Sequence, residues 1–285
     1  MAQAVDSRLA RLLPIPDDPR APLIEAMRYA AMGGGKRMRP LLCVAAGDLF
    51  HVDKERMLRV GVAAECVHVY SLVHDDLPCM DDDDQRRGKP TVHVQFDEAT
   101  AVLAGDALQA FAYELLADPK THEDPTVRAE LCLSLARASG TDGMAGGQVM
   151  DLAAEESDFD LTMTTRLQQL KTGALIAFSV ESGAIMGKAS PGARKKLRGY
   201  AHDLGLAFQI ADDLLDVEGD EKKAGKALGK DAEAGKATFV SLLGVDRARS
   251  QAQMLIDQAI DHLHGFGEEA DLLRAVARFA IERDH

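Results

Sequence analysis

The stretch HDDLPCMDDDDQRRGKP runs from His74 to Pro90. It places six aspartates between His74 and Asp84 and follows them at once with Arg86, Arg87 and Lys89. Carboxylates this dense cannot hold an anion directly, because two like unit charges 4 Å apart repel by about 4 kcal/mol even at an effective dielectric of 20. They suit hard divalent cations. An oxygen-only donor set favours Mg²⁺ or Mn²⁺, and Mg²⁺ keeps several waters while bridging a few carboxylates to substrate phosphates. The spacing is not that of an EF-hand, which needs DxDxDG and a glutamate at position 12. Pro78 disfavours continuation of the preceding helix, so the chain can turn and bring Asp81 back towards Asp75. Asp83 and Asp84 read as solvated loop carboxylates. The cations that follow can take the phosphate oxygens that metal ions leave.

A second set occurs in FQIADDLLDVEGD, with Asp212, Asp213 and Asp216. Asp212 and Asp216 are four apart and share one helix face. The approach to each set is apolar. Leu204–Ile210 is broken only by Gly205 and Gln209, and Val60–Val73 is interrupted by Glu65 and His68. Carboxylates at the end of a buried helix must be paired, protonated or bound to cations.

Further cations stand elsewhere. GGGKRMRP carries Lys36, Arg37 and Arg39 after three glycines. It is not a Walker A loop. Glycine still lets backbone approach an anion there, and an arginine at a helix start adds a fork of donors. Lys171–Thr172 precedes the apolar run GALIAFSV, and Lys226, Lys230 and Lys236 stud a glycine-rich loop after the second aspartate set. Taken singly, each lysine reads as a surface residue and His68 as a satisfied core histidine.

The elements that must position these groups read as helices. Plausible helices cover Pro22–Met32, Pro40–Phe50, Lys54–Asp76, Ala101–Leu116, Pro125–Ser139, Leu161–Gly187, Pro191–Val217, Thr238–Leu263 and Glu268–Arg283, several opening with Pro and several closing at Gly. The breaks fall at Gly33–Gly35, Pro78–Pro90, Asp118–Asp124, Gly140–Gly147 and Gly219–Gly235. The expectation is an all-α chain, one domain over residues 1–285, built as a helical bundle. The composition agrees, with 46% apolar residues, 5% aromatics and no Trp. The net charge of −13 argues against a nucleic-acid surface. Cys43, Cys66, Cys79 and Cys132 form no CxxC pair and read as reduced thiols of a cytoplasmic protein. The start MAQAVDSRLARLLPIPDD reads as no signal peptide, and no apolar run reaches membrane-spanning length, so no stable membrane insertion is expected.

HDDLPCMDDDDQRRGKP, GGKRMRP, KTG and FQIADDLLD together resemble the motifs of the trans-isoprenyl diphosphate synthases, from about Met27 to the C-terminus. The resemblance implies the isoprenoid synthase fold, a bundle of about ten or more helices around a central cavity, and a homodimer. It implies that Asp75, Asp81 and Asp212 ligate Mg²⁺, three ions in all, with Asp76 and Asp216 as supporting groups. The ions would hold the diphosphate of dimethylallyl or geranyl diphosphate, contacted also by Arg86, Lys171 and Lys226. Lys36, Arg39, His68 and Arg87 would hold isopentenyl diphosphate. Thr172 and Gln209 would face the reacting allylic carbon, and Lys236 would lie near the diphosphate end. The family also implies that an aromatic five residues before the first motif limits product length. Tyr70 occupies that position with Ser71 beside it, about 6–7.5 Å up the helix from Asp75. This favours a C15 product, farnesyl diphosphate, over C20. Cys79 and Met80 resemble the bacterial-type insertion.

Three rival readings meet the same motifs. A class I terpene cyclase leaves Lys36, Arg39 and Arg87 unexplained. An HD-type phosphohydrolase, suggested by His74–Asp75, needs further converging histidines. A non-catalytic subunit of this family usually lacks one aspartate motif, and both are present here.

Overall fold

The computed structural model describes residues 1–218 and 237–282. Lys226, Lys230 and Lys236 lie outside the described residues. The chain divides into two compact units. One comprises Met1–Val44 and Lys54–Cys132, the other Ala45–Asp53 and Leu133–His285. Both are helical, as expected. Among the described residues the only sheet is a two-residue antiparallel pair.

The first unit contains α1 (Ala2–Leu12) and α2 (Ala21–Ala31). Helix α3 (Met38–Asp48) starts in this unit and ends in the other. Helix α4 (Lys54–Asp75) is the core of the first unit. Val60, Val62, Ala63, Ala64, Val67 and Val69 are all buried, leaving hardly any polar face. The two charges inside this run are paired, which is what makes their burial tolerable. Glu65 accepts from Arg37 Nη1 at 2.6 Å, and Arg59 donates to Asp118 at 2.8 Å and to Thr121 at 3.1 Å. Arg37 Nη2 also donates to Asp6 at 2.8 Å and to the Ala31 carbonyl at 2.6 Å. One buried guanidinium thus ties α1, α2 and α4 together.

Strands β1 (Gln85–Arg86) and β2 (Lys89–Pro90) follow, then the short α5 (Val92–Gln95). Helix α6 (Glu98–Ala117) is capped by Asp97, whose carboxylate accepts from the Thr100 N–H at 2.8 Å. It packs along α4 through Ala101, Ala104, Leu108 and Ala112. Helix α7 (Pro125–Ser139) again has residues in both units.

The second unit holds α8 (Met144–Ala153), α9 (Leu161–Gln168) and, after a π-helical turn (Gln169–Gly173), α10 (Ala174–Met186). Helix α10 is buried almost all round, through Leu175, Ile176, Phe178, Val180, Ala184 and Ile185. Helix α11 (Pro191–Glu218) packs against α10 and along α13 (Val245–His262), which is preceded by the short α12 (Phe239–Leu243). Helix α14 (Asp271–Glu282) is pinned by Tyr200, whose hydroxyl donates to the Leu273 carbonyl at 2.7 Å.

Several boundaries differ from expectation. The single helix expected over Leu161–Gly187 is interrupted by the π turn. The one expected over Thr238–Leu263 breaks at Gly244, which has φ 80°. Helices α1, α5 and α8 were not anticipated. Glycines at 143, 146 and 147 disguise α8, since glycine is the poorest helix former after proline. The loop expected over Pro78–Pro90 contains a hairpin. Its two-residue connection, Arg87–Gly88, has φ of 52° and 72°, positive at both central positions as a type I′ turn requires.

Candidate active site

In the first unit α4 ends at Asp75 and the backbone curls back on itself. The Asp81 N–H donates to the Asp75 carbonyl at 2.8 Å, and the Asp83 N–H donates to that of Asp76 at 3.3 Å. Asp75 and Asp81 are therefore brought onto one tight turn. Asp76, buried beneath it, takes Arg86. Arg86 Nε donates to its two oxygens at 2.8 and 2.9 Å, and Nη2 donates to Oδ1 at 2.5 Å. Burial pushes the Asp76 carboxyl up from its ordinary value, and Arg86 draws it back. This bidentate pair anchors the hairpin to the end of α4.

The hairpin turn then aims Arg87 at the glycine loop before α3. Arg87 Nη1 donates to the Gly34 carbonyl. Its guanidinium lies over Gly35, where a Cβ would stand only 2.6 Å from Nη1 and where φ is 117°. Two requirements, open space and a positive φ, explain glycine at that position. His68, half-buried on α4, is held well below its ordinary pKa by burial first and then by Arg39, Arg87, Arg86 and Arg37. It is a neutral ring in a positive surround. The residues expected to hold one anion, Arg39, His68 and Arg87, thus converge, with Lys36 exposed next to Gly35. A cleft in this unit is lined by Tyr29, Val69, Asp76, Arg86, Arg87 and Lys89, among others.

Tyr70 packs edge-on against His74, with ring centroids 5.8 Å apart. Its hydroxyl is hydrogen-bonded with Gln109 of α6 and lies near Tyr113 and Asp75, and burial raises its pKa. The Ser71 hydroxyl is turned back to the His68 carbonyl at 2.9 Å.

In the second unit Lys171 and Thr172 sit on the π turn, a device found frequently at functional sites. Lys171 Nζ donates to Asp151 Oδ2 of α8 at 2.8 Å. Gln209 Nε2 donates to Gln168 Oε1 at 2.8 Å, so the α11 glutamine is joined to the residue preceding the turn. Asp212 and Asp216 lie one turn apart on α11, both partly exposed. Asp213 is buried and accepts from the Phe239 N–H at the start of α12, at 2.7 Å. Asp151 was not singled out from the sequence, and Asp213 was named there only as a member of the second aspartate set, with no role of its own. Asp151 was hidden by the glycines around it, although Gln148 and Asp151 stand at helical i,i+3 spacing.

Among the described residues no three carboxylate, imidazole or thiolate groups gather to enclose a metal. The donors present fit a divalent ion of the Mg²⁺ kind all the same. Each unit offers a few carboxylates, hard oxygen donors that suit an ion completing its shell with water and substrate oxygens.

The Polyprenyl synthetase family model matches residues 20–278. Farnesyl diphosphate synthase of Escherichia coli K12 is 46% identical over 92% of this chain and 90% of its own length. Geranylgeranyl pyrophosphate synthase 11, chloroplastic, of Arabidopsis thaliana is 44% identical over 90% of this chain and 73% of its own. Among solved structures, the apo form of an FPP/GFPP synthase from Zymomonas mobilis has a TM-score of 0.90 and 61% identity, covering 98% of this chain and 95% of that one. The chain belongs to the polyprenyl synthetase family and is a prenyl-transferring enzyme.

Proposed function

We propose that this enzyme is a (2E,6E)-farnesyl diphosphate synthase. It condenses isopentenyl diphosphate head to tail with dimethylallyl diphosphate and then with geranyl diphosphate. The observation that carries the reading is the cation cluster of the first unit, where Arg86 and Arg87 follow the turn that joins Asp81 to Asp75 and where burial first, and then Arg39, Arg87, Arg86 and Arg37, lower the pKa of His68. In a chain of net charge −13, a local concentration of cations answers to an anionic ligand.

Asp75, Asp81 and Asp212 would hold Mg²⁺, with Asp76 and Asp216 in support and Mn²⁺ as a substitute. When bound, such ions neutralise the charge that grows on a departing diphosphate. Arg86, Lys171 and Lys226 take the oxygens of the allylic diphosphate. Lys36, Arg39, His68 and Arg87 hold isopentenyl diphosphate, to which a neutral His68 adds a donor. Lys236 serves the diphosphate end. The allylic C–O bond breaks, Thr172 and Gln209 line the cationic carbon, and the isopentenyl double bond supplies the electrons of the new C–C bond. The proton then lost goes to the released diphosphate. Apolar side chains keep water from the cation. Residues 1–285 act as one domain in a cytoplasmic homodimer.

Tyr70 closes the product channel and sets C15. Purified enzyme given labelled isopentenyl diphosphate and geranyl diphosphate with Mg²⁺ should yield farnesol as the main alcohol after dephosphorylation. Tyr70→Ala should move the products to C20 and longer. An unchanged C15 product from that variant would remove the role given to Tyr70, and no prenyl transfer by the wild type would remove the whole reading. A second reading, a product longer than C15, is favoured by likeness to the geranylgeranyl synthase and to the Zymomonas protein. The same chromatogram separates the two.

A further inference from the structure

Lys171 reaches Asp151 from the π turn, and the two elements that carry them touch directly. A Cβ built on Gly147 of α8 would lie 2.2 Å from the Lys171 amide nitrogen and 2.5 Å from its Cα. Only a bare Cα lets α8 approach so close. Gly147 and Asp151 are four apart and share one face of α8. That face therefore meets Lys171 twice, at its backbone through Gly147 and at its ammonium through Asp151 at 2.8 Å. Asp151 is buried, its side chain 13% exposed, while that of Lys171 is 28% exposed. The carboxylate thus belongs to the protein interior, and the ammonium stands at its edge, where among the described residues it gives one of its three protons to Asp151.

A lysine is a point charge on a flexible four-carbon stem. Unrestrained, it would have to be ordered each time an anion bound, and the energy of ordering would be subtracted from binding. A π turn fixes where the stem begins, and Asp151 fixes where it ends. Resting on the role given above to Lys171, we propose that Asp151 is a positioning residue for prenyl transfer. It holds the Lys171 ammonium at the place where the allylic diphosphate oxygens arrive. It does not itself meet substrate, since another carboxylate beside a diphosphate would repel it.

The test is a double-mutant cycle on the full-length enzyme, with Asp151→Ala, Lys171→Ala and both together, assayed with geranyl and isopentenyl diphosphates. Asp151→Ala should lower kcat/KM for geranyl diphosphate by about 10- to 100-fold, as displacement of a positioned group does. The KM for isopentenyl diphosphate should stay within about twofold. In the Lys171→Ala background the Asp151 change should add less than about twofold, because residues that act through one another are not additive. Asp151→Glu should restore part of the activity. Equal losses in both backgrounds, or an equal rise in both KM values, would mean that Asp151 supports the fold and not the lysine. Wild-type rates in Asp151→Ala would dismiss it altogether. Should that variant melt at a markedly lower temperature, the near-isosteric Asp151→Asn is read by the same cycle. A wild type that transfers no prenyl group overturns the parent reading before any variant is made, so the two failures are distinct.

Discussion

In the first unit the carboxylates after Asp75 lie on a turn closed by backbone hydrogen bonds, whereas in the second Asp212 and Asp216 lie within α11. The first set gains its proximity from chain reversal, the second from helical pitch. Yet both divide their labour alike. The second residue of each Asp-Asp pair is buried, Asp76 to 3% exposure and Asp213 to 6%. Each is bonded to the segment that follows its motif, Asp76 to the Arg86 of the hairpin and Asp213 to the first amide of α12. The first residue of each pair is more exposed. A paired aspartate motif thus divides into a more exposed half and an anchoring half, and the anchoring half differs in chemistry. One anchor is a charge pair. The other includes a charge-assisted bond to the first amide of a helix.

Substitution separates the halves. Asp75→Ala and Asp212→Ala should each reduce turnover by about 10²–10³-fold, the scale of losing one electrostatic contact to developing charge, with little change in melting temperature. Asp76→Ala should act mainly on stability. It strands a partly buried guanidinium, which in a fully buried pair costs about 3–5 kcal/mol; with Arg86 one-third exposed, about 2 kcal/mol is the expectation in urea unfolding. Asp213→Ala should cost about 1 kcal/mol, the scale of a hydrogen bond at a helix start. If Asp213→Ala abolished turnover without loss of stability, the parallel between the motifs would fail.

The smallest effect concerns protons. His68 has its pKa lowered by burial and by Arg39, Arg87, Arg86 and Arg37, while His202 has its pKa raised by its hydrogen bond with Asp203. The unfolded chain binds a proton at His68 below about pH 6.5 and the folded one does not. Stability is therefore lost as pH falls below about 6.5. His202 has the opposite sign, with stability present below about pH 6.5 and lost as pH rises through its higher folded value. His68→Gln should flatten the fall in melting temperature between about pH 6.5 and 5, and His202→Gln should flatten the loss of melting temperature as pH rises above about 6.5. A steeper fall in His68→Gln would show that the arginines do not surround a neutral ring.

Much of this was legible in the chain. The apolar runs before Asp75 and Asp212 announced buried helices, and Pro78 announced the turn that carries Asp81 back. Helix α8 was not legible, because its glycines serve a close approach to the Lys171 turn, and a propensity scale counts them only against helix. The π turn escaped for a related reason. It adds one residue to a helical turn while the apolar pattern on either side continues. The hairpin depends on positive φ at Arg87, which sequence disfavours and the contact with Gly34 offsets.

Residue order along one element settled the helical class, the carboxylate spacing and the supply of cations, because periodicity and charge act over a few neighbouring positions. Only the folded chain decided that Arg86 serves Asp76, that Arg37 is a buried tie and not a free cation, that Asp151 grips Lys171 and that His68 is neutral. Those outcomes depend on burial and on contacts between segments 10 to 30 residues apart, where desolvation sets the strength of every charge.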